Sequence, residues 1–136
     1  MGYILLVDDE PKALKYLGKY LDKKGFEIIT ADSGEKGLEI IKNESIDVTV
    51  LDVLMPGMDG ITVLKKIKEI KPQIQVIILT GCASVELGMQ GMKSGAFDFM
   101  SKPVDPPELV RLIKSAQEYG NYLKEGISSV DLPEMD

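Results

Sequence analysis

Five times along this chain a short apolar run of strand character gives way to a longer segment of helical period. That alternation is the pattern of a parallel sheet covered by helices on both faces. The spacing predicts strands near residues 3–7, 26–30, 47–51, 75–79 and 97–100, and helices near 11–24, 34–43, 60–70, 84–94 and 106–119. Unbroken apolar runs such as Val76 to Leu79 suit central strands buried on both faces, whereas Phe26-Glu27-Ile28-Ile29-Thr30 alternates and suits an edge.

Local punctuation agrees with these boundaries. Pro11 suits the first turn of a helix, Ser33 is a candidate N-cap with Lys36 at N3, Gly25 and Gly95 suit C-terminal caps, and Pro72 closes the third helix. Gly88 and Gly91 fall inside the fourth helix, where each costs about 1 kcal/mol relative to Ala, so that helix is expected to be the least stable element. In the last helix Leu109, Leu112, Ile113, Ala116, Tyr119, Leu123 and Ile127 keep a helical spacing past Gly120. The expected organisation is one compact domain over residues 1–119 and a helical extension over 120–136, a candidate linker whose polar end from Ser128 is poorly ordered.

The chain is long enough for one domain and has no room for a second. Its net charge of −6 and pI near 4.7 oppose nucleic-acid binding by this segment, because neutralising phosphates needs clustered Lys and Arg. There is no His and a single cysteine, Cys82, which excludes Ser-His-Asp and Cys-His catalysis, a His/Cys zinc cage and an intrachain disulfide. Ile4 to Val7 is too short and too soon followed by acid to be a signal peptide, and no run approaches membrane-spanning length. A cytoplasmic location is the expectation.

Four of the apolar runs lead into a residue able to handle phosphate or metal: Asp8-Asp9 after the first, Asp52 after the third, Thr80 after the fourth and Lys102 after the fifth. In an open parallel sheet such residues converge in a crevice at the carboxyl ends of the strands. Asp8, Asp9 and Asp52 gathered there would repel one another, and a hard divalent cation relieves the conflict. Mg²⁺ fits because it binds through one or two carboxylates with waters and phosphate oxygens, whereas Ca²⁺ lacks a cage of six to eight ligands. A carboxylate can attack phosphorus to form an acyl phosphate, which makes Asp52 a candidate nucleophile. Lys102 can neutralise a phosphoryl oxygen, the Thr80 hydroxyl can donate to another, and Gly81 leaves room for the group.

Val7-Asp8-Asp9-Glu10, Leu51-Asp52-Val53-Leu54-Met55-Pro56-Gly57-Met58-Asp59-Gly60, Leu79-Thr80-Gly81 and Ser101-Lys102-Pro103, taken in order, resemble the signature segments of response regulator receiver domains in bacterial two-component systems. The resemblance spans roughly residues 1–119. It implies a flavodoxin-like (βα)5 three-layer α/β sandwich with a central five-stranded parallel sheet in order 2-1-3-4-5. It also implies that a histidine kinase or phosphotransfer protein donates a phosphoryl group to Asp52. Mg²⁺, or Mn²⁺ in its place, would be held by Asp9, Asp52 and the Leu54 backbone carbonyl, with Asp8 acting largely through water. Lys102-Pro103 resembles the family's cis peptide.

By the same resemblance Phe99 is the aromatic whose rotamer accompanies phosphorylation, coupled to Thr80. Leu54 and Cys82 occupy the two variable positions that tune dephosphorylation, and neither strongly positions an attacking water, so a long-lived phosphorylated form is expected. A downstream output domain or protein would read the face of the fourth helix, fifth strand and fifth helix, and phosphorylation could pair two copies.

Simpler roles stand beside these. Asp8-Asp9-Glu10 alone would read as a solvated acidic turn, Thr80 as a strand-end residue and Lys102 as a surface lysine; their functional reading rests on the constellation. Met55 to Gly60 reads mostly as a turn, Cys82 as a small semi-buried residue, and Met89 and Met92 as packing. The competing activity is a Mg²⁺-dependent phosphohydrolase of the haloacid-dehalogenase type, in which Asp8 would be the nucleophile and Glu10 the acid two residues on.

Overall fold

The computed structural model describes residues 2–55, 57–81 and 85–125. Its elements alternate throughout: β1 Tyr3–Val7, α1 Pro11–Lys23, β2 Ile28–Ala31, α2 Gly34–Asn43, β3 Ile46–Asp52, α3 Gly60–Ile70, β4 Gln75–Thr80, α4 Val85–Lys93, β5 Asp98–Ser101 and α5 Pro106–Glu125. The five strands form one sheet in the order β2-β1-β3-β4-β5, every pairing parallel. This is the expected architecture, with β2 at one edge and β5 at the other.

Period-two alternation sorts the side chains into two layers. Ile4, Leu6, Val48, Val50, Ile77 and Leu79 pack with Leu17 and Leu21 of α1 and Leu109, Ile113 and Ala116 of α5. Leu5, Val7, Leu51, Val76 and Ile78 pack with Leu38 and Ile41 of α2, with Val63, Leu64 and Ile67 of α3, and with α4 through Leu87. Burying each such aliphatic side chain contributes about 1.5–3 kcal/mol, so both faces of β1, β3 and β4 are held firmly. The carboxyl ends of those strands are correspondingly rigid.

Helix starts follow the sequence: Pro11 occupies the first turn of α1, Ser33 accepts from the Lys36 amide at 3.2 Å, and Asp59 caps α3 by accepting from the Thr62 amide at 3.0 Å. Gly25 and Gly95 have φ of 96° and 103° after α1 and α4, where a side chain would be strained.

One boundary shifts, and two expectations are filled out. β2 begins at Ile28 and not 26, because the Phe26 amide still donates to the Leu21 carbonyl at 3.2 Å and closes the end of α1. The last helix runs past residue 119, as its apolar spacing predicts, and continues through Glu125. Gly120 is buried within it without interrupting it, and Lys124 reaches back to the buried Asp47 at 3.1 Å. The glycines of α4 serve close packing as well as weakening the helix: Gly88 faces the Phe99 ring and Gly91 faces Ile78, with no space for a Cβ at either. Expectations for Pro56, for Cys82 and for residues 126–136, including Ile127 of the helical extension, lie outside the described residues.

Candidate phosphoacceptor and metal site

Strand register explains why residues so distant in sequence meet. Val7 pairs with Leu51, which sets Asp8 beside Asp52 at the ends of neighbouring strands; Asp52 pairs with Leu79, and Thr80 with Ser101, one residue before Lys102. The sheet order reverses between β1 and β3, so these residues stand at the crevice where open α/β sheets bind ligands.

One carboxylate oxygen from each of Asp8, Asp9 and Asp52 lies within 4.8 Å of the others. Asp8 and Asp52 are each only 5% exposed, whereas Asp9 faces solvent. The two buried carboxylates are satisfied in the same way. Asp8 Oδ1 accepts from the Glu10 amide at 3.0 Å and Asp52 Oδ1 from the Leu54 amide at 3.1 Å. The Lys102 ammonium bridges the remaining oxygens, donating to Asp52 Oδ2 at 3.0 Å and to Asp8 Oδ2 at 3.4 Å.

Burial works against the Lys102 charge, but the hydrogen bond and charge of Asp52, with Asp8 behind them, outweigh it and raise the lysine above its ordinary pKa. Lys102 therefore stays cationic. Three carboxylates against one ammonium leave two formal negative charges, and a hard divalent cation with oxygen preference matches that balance. The donor set fits a divalent metal site.

The surrounding residues are placed less uniformly. Thr80 is fully buried, and its hydroxyl donates to the Met100 carbonyl at 3.4 Å, a long bond that a better acceptor could displace. Its backbone is tied to the site, since the Lys102 amide donates to the Thr80 carbonyl at 2.6 Å. Gly81 follows, half-buried, and Lys102-Pro103 is cis. Phe99 is half-buried against Gly88, and Leu54 is 58% exposed at the rim. Sequence reasoning missed the Glu10 and Leu54 amides and the Met100 carbonyl. Every residue carries such groups, so only the backbone path reveals which ones point inward.

The family model for the response regulator receiver domain matches residues 4–114. The chain belongs to the response regulator receiver domain family. The receiver is 37% identical to a crystal structure of a response regulator receiver domain protein from Clostridium thermocellum, with a TM-score of 0.86 over 90% of this chain and 99% of that one. A CheY-like receiver domain protein from Methanospirillum hungatei is 32% identical, with a TM-score of 0.85 over 93% of this chain and 99% of that one.

Among curated relatives, the transcriptional regulatory protein GlrR of Escherichia coli is 38% identical over 86% of this chain and 26% of its own length. A cyclic di-GMP phosphodiesterase of Thermotoga maritima is 39% identical over 80% of this chain and 29% of its own. FixJ of Bradyrhizobium diazoefficiens, a transcriptional regulatory protein, is 36% identical over 85% of this chain and 56% of its own. The receiver thus spans about a quarter of the first two relatives and about half of the third.

The family and the site together set aside the phosphohydrolase reading. The acidic cluster joins Asp52 to Asp8 and Asp9, while Glu10 is exposed and contributes its amide to Asp8. Among the described residues, no helix is long and apolar enough to cross a membrane.

Proposed function

We propose that Asp52 accepts a phosphoryl group from the phosphohistidine of a partner histidine kinase or phosphotransfer protein, in a Mg²⁺-dependent reaction. The observation that carries this reading is the single Lys102 ammonium shared by two buried carboxylates beside an acidic third. An Asp52 oxygen attacks phosphorus, the bond from phosphorus to the donor imidazole breaks, and the electron pair leaves with that imidazole. Asp9, Asp52 and the Leu54 carbonyl would hold the Mg²⁺ or Mn²⁺, with Asp8 reaching it through water. When bound, the ion supplies positive charge to the phosphoryl oxygens.

This chain's own residues do the rest. Lys102 neutralises one phosphoryl oxygen, Thr80 turns from the Met100 carbonyl to donate to another, and Gly81 admits the group against the backbone. Rotation of Thr80 frees Phe99 to change its seat against α4, which transmits a local charge event to the α4-β5-α5 face. Val85, Met89 and Met92 are exposed along α4, a surface suited to an output domain, an output protein or a second copy of the chain.

Residues 1–119 form the receiver unit of a cytoplasmic protein, and the helical extension beyond them serves as a linker or as a pairing surface between copies. Neither Leu54 nor Cys82 is a residue type that strongly positions an attacking water, so phospho-Asp52 is long-lived. A lifetime of seconds after removal of the donor contradicts that part.

The cheapest test is incubation with Mg²⁺ and a small-molecule phosphodonor, followed by intact mass. One added phosphoryl group, absent from Asp52→Asn, is the expected result. Catalytic turnover of a phosphomonoester without a retained phosphoryl group would overturn the proposal.

A further inference from the structure

Gly60 opens α3 directly against the backbone of the phosphoacceptor. A Cβ built there would stand 2.7 Å from the Asp52 carbonyl oxygen, 3.2 Å from its carbonyl carbon, and closer still to Val53 Cα. At Gly34, Gly37, Gly88 and Gly91 the nearest atom to such a Cβ belongs to a side chain, which can rotate. At Gly60 all three nearest atoms are backbone, at the end of a fully buried strand. Nothing there can yield without moving Asp52.

The contact also closes the loop that completes the site. The Gly60 amide donates to the Val53 carbonyl at 3.1 Å, and the Val53 amide donates to the Leu79 carbonyl at 3.2 Å, so Val53 is clamped between α3 and β4. The next residue supplies the Leu54 amide that orients Asp52 Oδ1. A side chain at position 60 would push Val53 and Leu54 together, altering both the aim of the Asp52 carboxylate and the path of the Leu54 carbonyl.

We infer that Gly60 is a positioning residue for Asp52 and the Leu54 loop, its missing side chain setting the geometry of metal binding and phosphoryl acceptance. The inference rests on the reading of Asp52 as phosphoacceptor. Its consequence is that Gly60→Ala damages the site more than it damages the fold.

The test compares the wild type, G60A, G34A and D59A in the full chain, each at a temperature where circular dichroism shows native helix content, with trimethylamine N-oxide added where needed. MgCl2 affinity is measured by calorimetry, and acceptance from a small-molecule phosphodonor by intact mass. G60A is expected to lose about tenfold or more in both, as outer-shell displacement around a metal site does. G34A, which crowds the Val63 side chain, and D59A, which removes the α3 cap without adding an atom against Asp52, are expected to keep near wild-type Mg²⁺ affinity.

Wild-type Mg²⁺ affinity in folded G60A overturns the inference while leaving the phosphoacceptor reading intact. Equal losses in G60A and D59A reduce the effect to helix stability and overturn it as well, as does a G60A chain that stays unfolded in the osmolyte. A wild type that accepts no phosphoryl group overturns both.

Discussion

Replacing Lys102 by Met removes the cation between Asp8 and Asp52 while keeping much of the aliphatic stem. Taking one partner from a fully buried ion pair costs about 3–5 kcal/mol, because the remaining charge is stranded. Here the cost is smaller: the lysine side chain is 32% exposed, water can reach the gap, and each carboxylate keeps one backbone amide. A loss of about 2 kcal/mol follows in metal-free buffer, or roughly 8 °C in melting temperature for a domain of this size.

Magnesium should behave differently from phosphoryl acceptance in this variant. Ligand linkage stabilises the folded state by about 2.7 kcal/mol at 100 times the dissociation constant, and the variant presents three carboxylates with no internal cation. Its Mg²⁺-induced rise in melting temperature should therefore equal or exceed that of the wild type, while phosphoryl acceptance slows for want of the ammonium. Differential scanning calorimetry with and without Mg²⁺, beside intact mass after phosphodonor treatment, measures both. A K102M chain that melts with the wild type in metal-free buffer, or that loses its Mg²⁺ response, would refute the shared-cation reasoning.

Asp52→Asn should lose phosphoryl acceptance and blunt the Mg²⁺ effect on melting, while its metal-free form melts at or above the wild type because one of three clustered charges is gone; an undiminished Mg²⁺ shift would remove Asp52 from the ligand set. Gly91→Ala should destabilise by about 1–3 kcal/mol in chemical denaturation despite the better helix propensity of Ala, since its methyl group collides with Ile78. Lys68 gives a pH signature: burial lowers its pKa below the ordinary 10.5, so the folded state releases its proton first. Wild-type stability relative to Lys68→Gln should accordingly rise as pH climbs through that lowered value toward 10.5, and a flat difference in pH-dependent denaturation would contradict the assignment.

Much of this was readable from residue order. The apolar runs of β1, β3 and β4 reflect burial on both faces, a pattern that only a covered parallel sheet satisfies. Pro11, Ser33, Gly25 and Gly95 act locally, through φ restriction, a side-chain cap and positive φ, so their effects needed no tertiary contact to anticipate. Phe26 misled because it is apolar and adjacent to a strand, yet its amide belongs to the α1 terminus. Gly120 did not mislead: the apolar spacing of Ala116, Tyr119 and Leu123 carries past it, and α5 runs on through Glu125.

The sequence by itself determined the alternation of elements, the caps and the candidates Asp8, Asp9, Asp52, Thr80 and Lys102, because periodicity and side-chain chemistry are local properties. Tertiary structure alone decided that one ammonium bridges Asp52 and Asp8, that Thr80 rests on Met100, and that Gly60 is pressed onto the Asp52 backbone. Those facts depend on strand order and on distances between segments, and a carbonyl or a missing Cβ carries no mark in the sequence of what will pack against it.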